Sequence, residues 1–333
     1  MSVAAGPPPP GQPPLPHFAV RVAPPALDPW LEGNTGLRGF TSYAAAAAGP
    51  HVAIVALVHG NEIGGAIALD RLLRAGIAPA RGRLTLGFAN LDAFARFDHA
   101  APTASRFVDE DLNRLWDPDL LDGPRRSAEL DRARAMRPLI ESVDVLLDLH
   151  SMLWPSEPLL LCGRTAKGRQ LAEATGAPPL VVADAGHASG PRLIDYARFG
   201  ETGAGRAVLV EAGQHWEPAT VETTLAAIAG LLHHTRQVAS HPALPPPPRR
   251  EAGAASHRAL RFASVTQAVT ASTGGFAFVQ PYRGGDVVPR RNTLIAMDGN
   301  TEIRTPHDDC LLVMPSLRPS RGHTAVRLAR FAP

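Results

Sequence analysis

Lysine is almost missing from this chain. Lys167 is the only one, although 33 of 333 residues are basic. The rest are arginines, and 31 acidic residues bring the formal net charge to +2. The isoelectric point near 8.8 therefore reflects arginine's high pKa more than a basic patch. No arginine run is long enough to track nucleic-acid phosphates. Aromatic residues make up 5%, too few to favour base stacking on a single strand. The two cysteines, Cys162 and Cys310, exclude a disulfide framework and a cysteine zinc site. Cys162 ends the run PLLLC and reads as a small buried hydrophobe. No apolar run reaches the roughly 18 residues of a membrane-spanning helix. The segment MSVAAGPPPPGQPPLP lacks the basic and apolar regions of a secretory signal. A cytoplasmic protein is expected, with no nucleic-acid or membrane partner and with a homo-oligomer possible.

Apolar residues are plentiful, at 45%, enough for a substantial core. Proline punctuates the chain. Residues 1–17 read as a disordered Pro-rich arm, and 241–256, with four consecutive prolines, read as a linker. Between them, residues 18–240 alternate strand-like and helix-like runs. HVAIVALV (51–58), RLTLGFAN (83–90), VDVLLDLH (143–150) and AVLVEAG (207–213) are short and apolar. IGGAIALDRLLRAG, SAELDRARAMRPLIESV and EPATVETTLAAIAGLLHHTRQVAS have helical spacing, with a kink or break expected at Pro138. This pattern predicts an α/β fold, a sheet covered by helices on both faces. Residues 257–333 offer short alternating segments with turns at RGGD and MDGN, and read as a small β domain.

The chemistry-bearing residues fall where strands end, and a sheet brings such ends together. His59 and Glu62 lie in VHGNEIGG after the first run, His150 closes VDVLLDLH, and Glu211 lies in AVLVEAG. Two histidines and one carboxylate form the protein shell of several catalytic zinc sites. Flanking glycines permit a tight approach, and Asp148 could orient a ligand histidine from behind. Each piece alone has a plainer explanation. Asn61 or Glu62 could cap a helix, and Glu211 could be a buried glutamate paired to an arginine. The segment SRFVDEDLNRLW (105–116) could be a surface loop with internal ion pairs.

Taken in order, HGNE, R-x(6)-NR, DLH and VEAG resemble the succinylglutamate desuccinylase and aspartoacylase family, a branch of the zinc carboxypeptidase-like hydrolases. The resemblance covers roughly residues 50–235, and a small C-terminal β domain fits the family layout. It implies a mixed sheet flanked by helices and one Zn2+ per chain, held by His59, Glu62 and His150. It implies Glu211 as general base and acid, and Arg106 as the cation that polarises the scissile carbonyl. Asn113 and Arg114 would hold the substrate carboxylate. The implied reaction is hydrolysis of an N-acyl amino acid, a small-molecule substrate, to a carboxylate and a free amine. A further substrate arginine is expected among Arg192, Arg198 and Arg206, with Arg198 preferred because it follows Tyr196 in YAR. Tyr282, the only tyrosine after the linker, is the candidate for a substrate-binding tyrosine.

The same zinc and glutamate chemistry would also serve a carboxypeptidase or amidase on a peptide-like substrate. The C-terminal region has the turn rhythm of a biotinyl- or lipoyl-like fold but no lysine to modify. His187, His215, His233 and His234 rank below the proposed ligands, because HASG, QHW and LHH have no matching partner pattern.

Overall fold

The computed structural model describes residues 18–186, 189–248 and 259–332. The proposed arm at 1–17 and residues 249–256 of the proposed linker lie outside them. The first part of the chain supplies strands β1 (Phe40–Ala44), β2 (His51–Ala56), β3 (Arg83–Phe88), β4 (Val145–Met152), β5 (Leu159–Leu161), β6 (Leu180–Ala183) and β7 (Arg206–Gln214). Interleaved with them are helices α1 (Ile63–Arg74), α2 (Leu91–Phe94), α3 (Pro118–Asp122), α4 (Ala128–Glu141), α5 (Ala166–Thr175) and α6 (Pro218–His234). The rest is β: β8 (Arg261–Thr270), β9 (Phe276–Phe278), β10 (Val287–Val288), β11 (Leu294–Asp298), β12 (Thr301–Arg304), β13 (Cys310–Val313) and β14 (Thr324–Phe331).

One mixed sheet of eleven strands runs β1-β3-β2-β4-β7-β5-β6-β8-β14-β13-β10. Strands β3, β2, β4 and β7 are parallel neighbours, while β1 and β5 join antiparallel. The parallel strands are buried along their length, which is why they read as unbroken apolar runs. Alternate residues serve opposite faces. Val52 and Ile54 pack with Leu69, Leu72, Ile228 and Leu231 of α1 and α6. Ala53 and Val55 pack with Leu130, Ala133, Met136 and Ile140 of α4.

Two expectations change in detail. Pro138 does not break α4, which continues to Glu141. It sits in the last turn, so only one intrahelical hydrogen bond is forfeited. The C-terminal region is β as expected, and β9, β11 and β12 form a separate three-stranded sheet. However, β8 pairs in parallel with β6, so β8, β14, β13 and β10 extend the large sheet. Ala243 and Leu244 of the proline-rich stretch pack against the core. Among the described residues, no helix is long and apolar enough to cross a membrane.

Candidate metal centre

The order β2-β4-β7 sets the site. His150 on β4 and Glu211 on β7 are direct partners in the parallel register. The chain leaves β2 through Leu57, whose φ of 58° is left-handed, and its buried side chain anchors that turn. Two residues on, His59 reaches the same end of the sheet. Gly60 is required there, because a Cβ would lie 2.5 Å from backbone atoms of Ala93, Phe94 and Ser105. Its N–H donates to the Arg106 carbonyl at 3.0 Å, tying this turn to the 105–116 loop.

His59, Glu62 and His150 converge, with one ligand atom from each within 4.8 Å of the others. Glu62 occupies the N-cap of α1 but makes no cap hydrogen bond. Its carboxylate instead faces both imidazoles: Oε1 is 2.7 Å from His59 Nδ1, and Oε2 is 3.0 Å from His150 Nδ1. Each far nitrogen faces an aspartate. His59 Nε2 lies 2.9 Å from Asp111 Oδ1, and His150 Nε2 lies 3.0 Å from Asp148 Oδ2. The Asp111 hydrogen bond fixes the His59 ring and strengthens its inward nitrogen, whereas Asp148 acts on His150 by charge, its oxygens making no hydrogen bond among the described residues. Two imidazoles and a carboxylate, backed in this way, fit a borderline divalent cation.

The electrostatics follow from burial and pairing. Burial opposes ionisation of Glu62, yet the two histidines hold its carboxyl well below the usual range. Burial likewise opposes charge on His150, but Asp148 and Glu62 hold its pKa well above 6.5. Glu211 differs. Desolvation first, and then the neighbouring Glu62 charge, push it up to about 8. Its Oε2 is buried without a hydrogen-bond partner among the described residues.

The 105–116 loop folds onto this centre and does not lie free on the surface. Arg106 Nη1 donates to Glu62 Oε1 at 3.3 Å, and Nη2 donates to Asp111 Oδ2 at 3.1 Å. Asn113 Nδ2 is 3.4 Å from His150 Nε2, while its Oδ1 accepts from Leu193 N–H at 2.8 Å. Arg114 lies 3.7 Å from Asp111. Its burial, and the nearby cations of Arg106, Arg327 and Arg192, bring its pKa down to about 10 despite Asp111. Asp111 itself is held well below the usual carboxylate range, against its own burial, by His59, Arg106 and Arg114.

At this geometry the comparisons become decisive. The family model for the succinylglutamate desuccinylase/aspartoacylase catalytic domain matches residues 48–235, more than half of the chain. The chain belongs to the succinylglutamate desuccinylase/aspartoacylase family. Members of this family are hydrolytic deacylases. Succinylglutamate desuccinylase from Vibrio cholerae is 18% identical with a TM-score of 0.64, over 88% of this chain and 85% of that one. A succinylglutamate desuccinylase/aspartoacylase from Rhodobacter sphaeroides is 19% identical with a TM-score of 0.64, over 88% and 89%. The ectoine utilization protein EutE (DoeB) from Ruegeria pomeroyi is 17% identical with a TM-score of 0.59, over 87% and 88%. At such identities these structures share the fold. No curated protein matches the chain by sequence.

Arg198 and Tyr282, the two further substrate contacts expected from sequence, have other partners in this structure. Arg198 Nε donates to the Val143 carbonyl at 2.9 Å, and Nη2 donates to Asp144 Oδ1 at 3.2 Å. Those residues precede β4, and His150 lies five residues farther along the strand from Val145, roughly 16 Å away. Tyr282 packs in the C-terminal apolar cluster with its ring edge-on to Phe278. Two residues on, the Gly284 carbonyl accepts from Glu157 N–H at 2.7 Å, which ties this segment to the loop after β4. The buried arginines near Glu211 are instead Arg192 and Arg327, which share Asp184 Oδ2 at 3.1 and 3.0 Å. Arg192 was among the three arginines considered, whereas Arg327 lies far from any family motif. His215, ranked low from sequence, is also buried beside the centre. Its pattern QHW offered no ligand spacing, and only the pairing of β4 with β7 exposes its place.

Proposed function

We propose that this protein is a zinc-dependent deacylase that hydrolyses the amide bond of an N-acyl amino acid. The observation carrying this reading is the register of β4 with β7, which sets Glu211 directly beside His150 of the buried His59–Glu62–His150 group. His59, Glu62 and His150 would hold the zinc ion, which would supply a Lewis acid able to bring the pKa of a water molecule near neutral. Glu211 takes the proton from the attacking water and returns it to the leaving amine. Burial and the Glu62 charge push its carboxyl up to about 8 in the metal-free protein, and a divalent cation held beside it would favour the ionised form that accepts the proton.

The arginines divide the remaining work. Arg106, anchored by Glu62 and Asp111, stabilises negative charge as it develops on the carbonyl oxygen. Arg114, with Asn113, receives the carboxylate of the amino acid, where a planar guanidinium forms paired hydrogen bonds. Arg106, Arg192 and Arg327 lie electrostatically close to Arg114, and each is also paired with a carboxylate: Arg106 with Glu62 and Asp111, Arg192 and Arg327 with Asp184.

The test is free-amine release from a panel of acetyl-, succinyl- and longer-chain N-acyl amino acids by zinc-loaded protein, with dipeptides alongside. Release from acyl amino acids but not from dipeptides is expected. Preferential cleavage of dipeptides would replace the deacylase reading with a peptidase one.

A further inference from the structure

Two residues just past the strand of Glu211 touch both segments that carry the candidate ligands, the turn after β2 and the end of β4. Strand β7 ends at Gln214, and His215 and Trp216 follow, 2% and 1% exposed. Trp216 Nε1–H donates to the Asn61 carbonyl at 3.1 Å. Asn61 lies between His59 and Glu62 in the sequence. His215 N–H donates to the Met152 carbonyl at 2.9 Å, and its Nδ1 is hydrogen-bonded to Ser151 Oγ at 2.8 Å. Ser151 follows His150, and its own N–H donates to Glu62 Oε2 at 3.0 Å.

We propose that Trp216 and His215 are positioning residues that lock the turn carrying His59 and Glu62, and the end of β4 carrying His150, in register with the strand carrying Glu211. Trp216 holds the turn of His59 and Glu62 through the peptide between them. His215 holds Ser151, whose amide grips the same Glu62 oxygen that faces His150 Nδ1. One strand thus carries the base, and the two residues after it brace both ligand-bearing segments. Neither brace belongs to the cluster itself, which is His59, Glu62 and His150. Indole N–H has no lone pair to offer a metal, and His215 Nδ1 is engaged by Ser151.

A brace differs from ordinary core filling in what it controls. Core filling sets stability. Groups that orient ligands set metal affinity, and losing one typically costs about 10- to 100-fold. The inference rests on the metal site proposed above but not on the reaction.

The experiment measures the zinc dissociation constant by competition with a chromophoric chelator, together with the thermal midpoint of the metal-free protein. Trp216→Phe keeps an aromatic ring and removes the indole donor. His215→Leu removes the bond to Ser151, and His215→Asn restores a polar atom near the Nδ1 position. Ser151→Ala is the mildest change and guards against misfolding of the others. Trp30→Phe is the control, because that indole donates to Asp70 Oδ1 at 2.7 Å, eight residues along from Glu62. Trp216→Phe, His215→Leu and Ser151→Ala should weaken zinc binding about 10-fold or more, with His215→Asn recovering most of the loss. Trp30→Phe should lower the thermal midpoint and leave zinc affinity unchanged. Zinc affinity within about twofold of native in the folded Trp216→Phe and Ser151→Ala proteins would overturn the inference. Native protein that binds zinc but releases no amine from the acyl panel would sink the deacylase reading and leave this one standing.

Discussion

Glu129 on α4 is a sharp place to perturb the loop that carries Arg106, Asn113 and Arg114. Its carboxylate is fully buried. Oε1 accepts from Asn90 Nδ2 at 2.9 Å and from Val108 N–H at 2.6 Å. Oε2 accepts from Asp109 N–H at 2.9 Å and from Glu110 N–H at 3.1 Å. Three consecutive backbone amides of the loop therefore end on one side chain. Glu129→Gln keeps the shape but replaces one oxygen with an NH2 group. Whichever way the amide turns, two donors lose their acceptor and meet another donor. Asn90 cannot flip freely to relieve this, because its Oδ1 caps α2 through Ala93 N–H. A hydrogen bond to a charged group is worth about 1.5–3 kcal/mol, so two lost bonds cost about 3 kcal/mol at the low end. Urea unfolding should report that loss, and kcat/KM should fall as Arg106 and Arg114 lose their support. A loss below about 1 kcal/mol would refute the view that Glu129 organises this loop.

Other consequences can be checked separately. Zinc binding should release protons, because Glu211 sits near 8 and His150 well above 6.5 before the ion's charge acts on them. Calorimetry in buffers of different ionisation enthalpy should show this release, with affinity rising from pH 6 to pH 8; pH-independent affinity would contradict it. Burial pushes His215 down to about 4, so the fold favours its neutral form. Its contribution is complete above its ordinary value of 6.5 and is lost as pH falls through 4, amounting to about 3 kcal/mol. In the metal-free protein His215→Asn should flatten stability across that interval, and an unchanged slope would count against the assignment. Arg198→Ala should leave KM unchanged and cost at most about 1 kcal/mol, since its partner Asp144 is half exposed. A large rise in KM would return Arg198 to the substrate.

The parallel strands were legible because burial on both faces leaves a period-free apolar run. The runs 51–58, 83–90, 143–150 and 207–213 correspond to β2, β3, β4 and β7. The candidate ligands were legible for a related reason: each sits just past or near the end of such a run, where the sheet order brings it to its neighbours. Short strands such as β5 and β6 gave no comparable signal. Nor did the pairing of β8 with β6, which is a contact between segments about 80 residues apart. The supporting shell was the least visible part. Asp111, Glu129, Ser151, His215 and Trp216 act through hydrogen bonds to backbone or side-chain atoms that are mostly distant in sequence. No local spacing encodes such contacts. The place of Arg198 was hidden for a matching reason: its position after Tyr196 in YAR says nothing about its partners Val143 and Asp144, more than 50 residues earlier in the chain.

The central claim is that Glu211 is the proton carrier of a zinc deacylase. The measurement that tests it most directly compares native protein and Glu211→Ala at equal bound zinc, by amine release from the best N-acyl amino acid of the panel. The account predicts turnover by the native protein and a loss of about 100-fold or more in the variant, with zinc stoichiometry unchanged. Turnover that survives the substitution would assign the base to another residue and contradict the mechanism built on the pairing of His150 with Glu211.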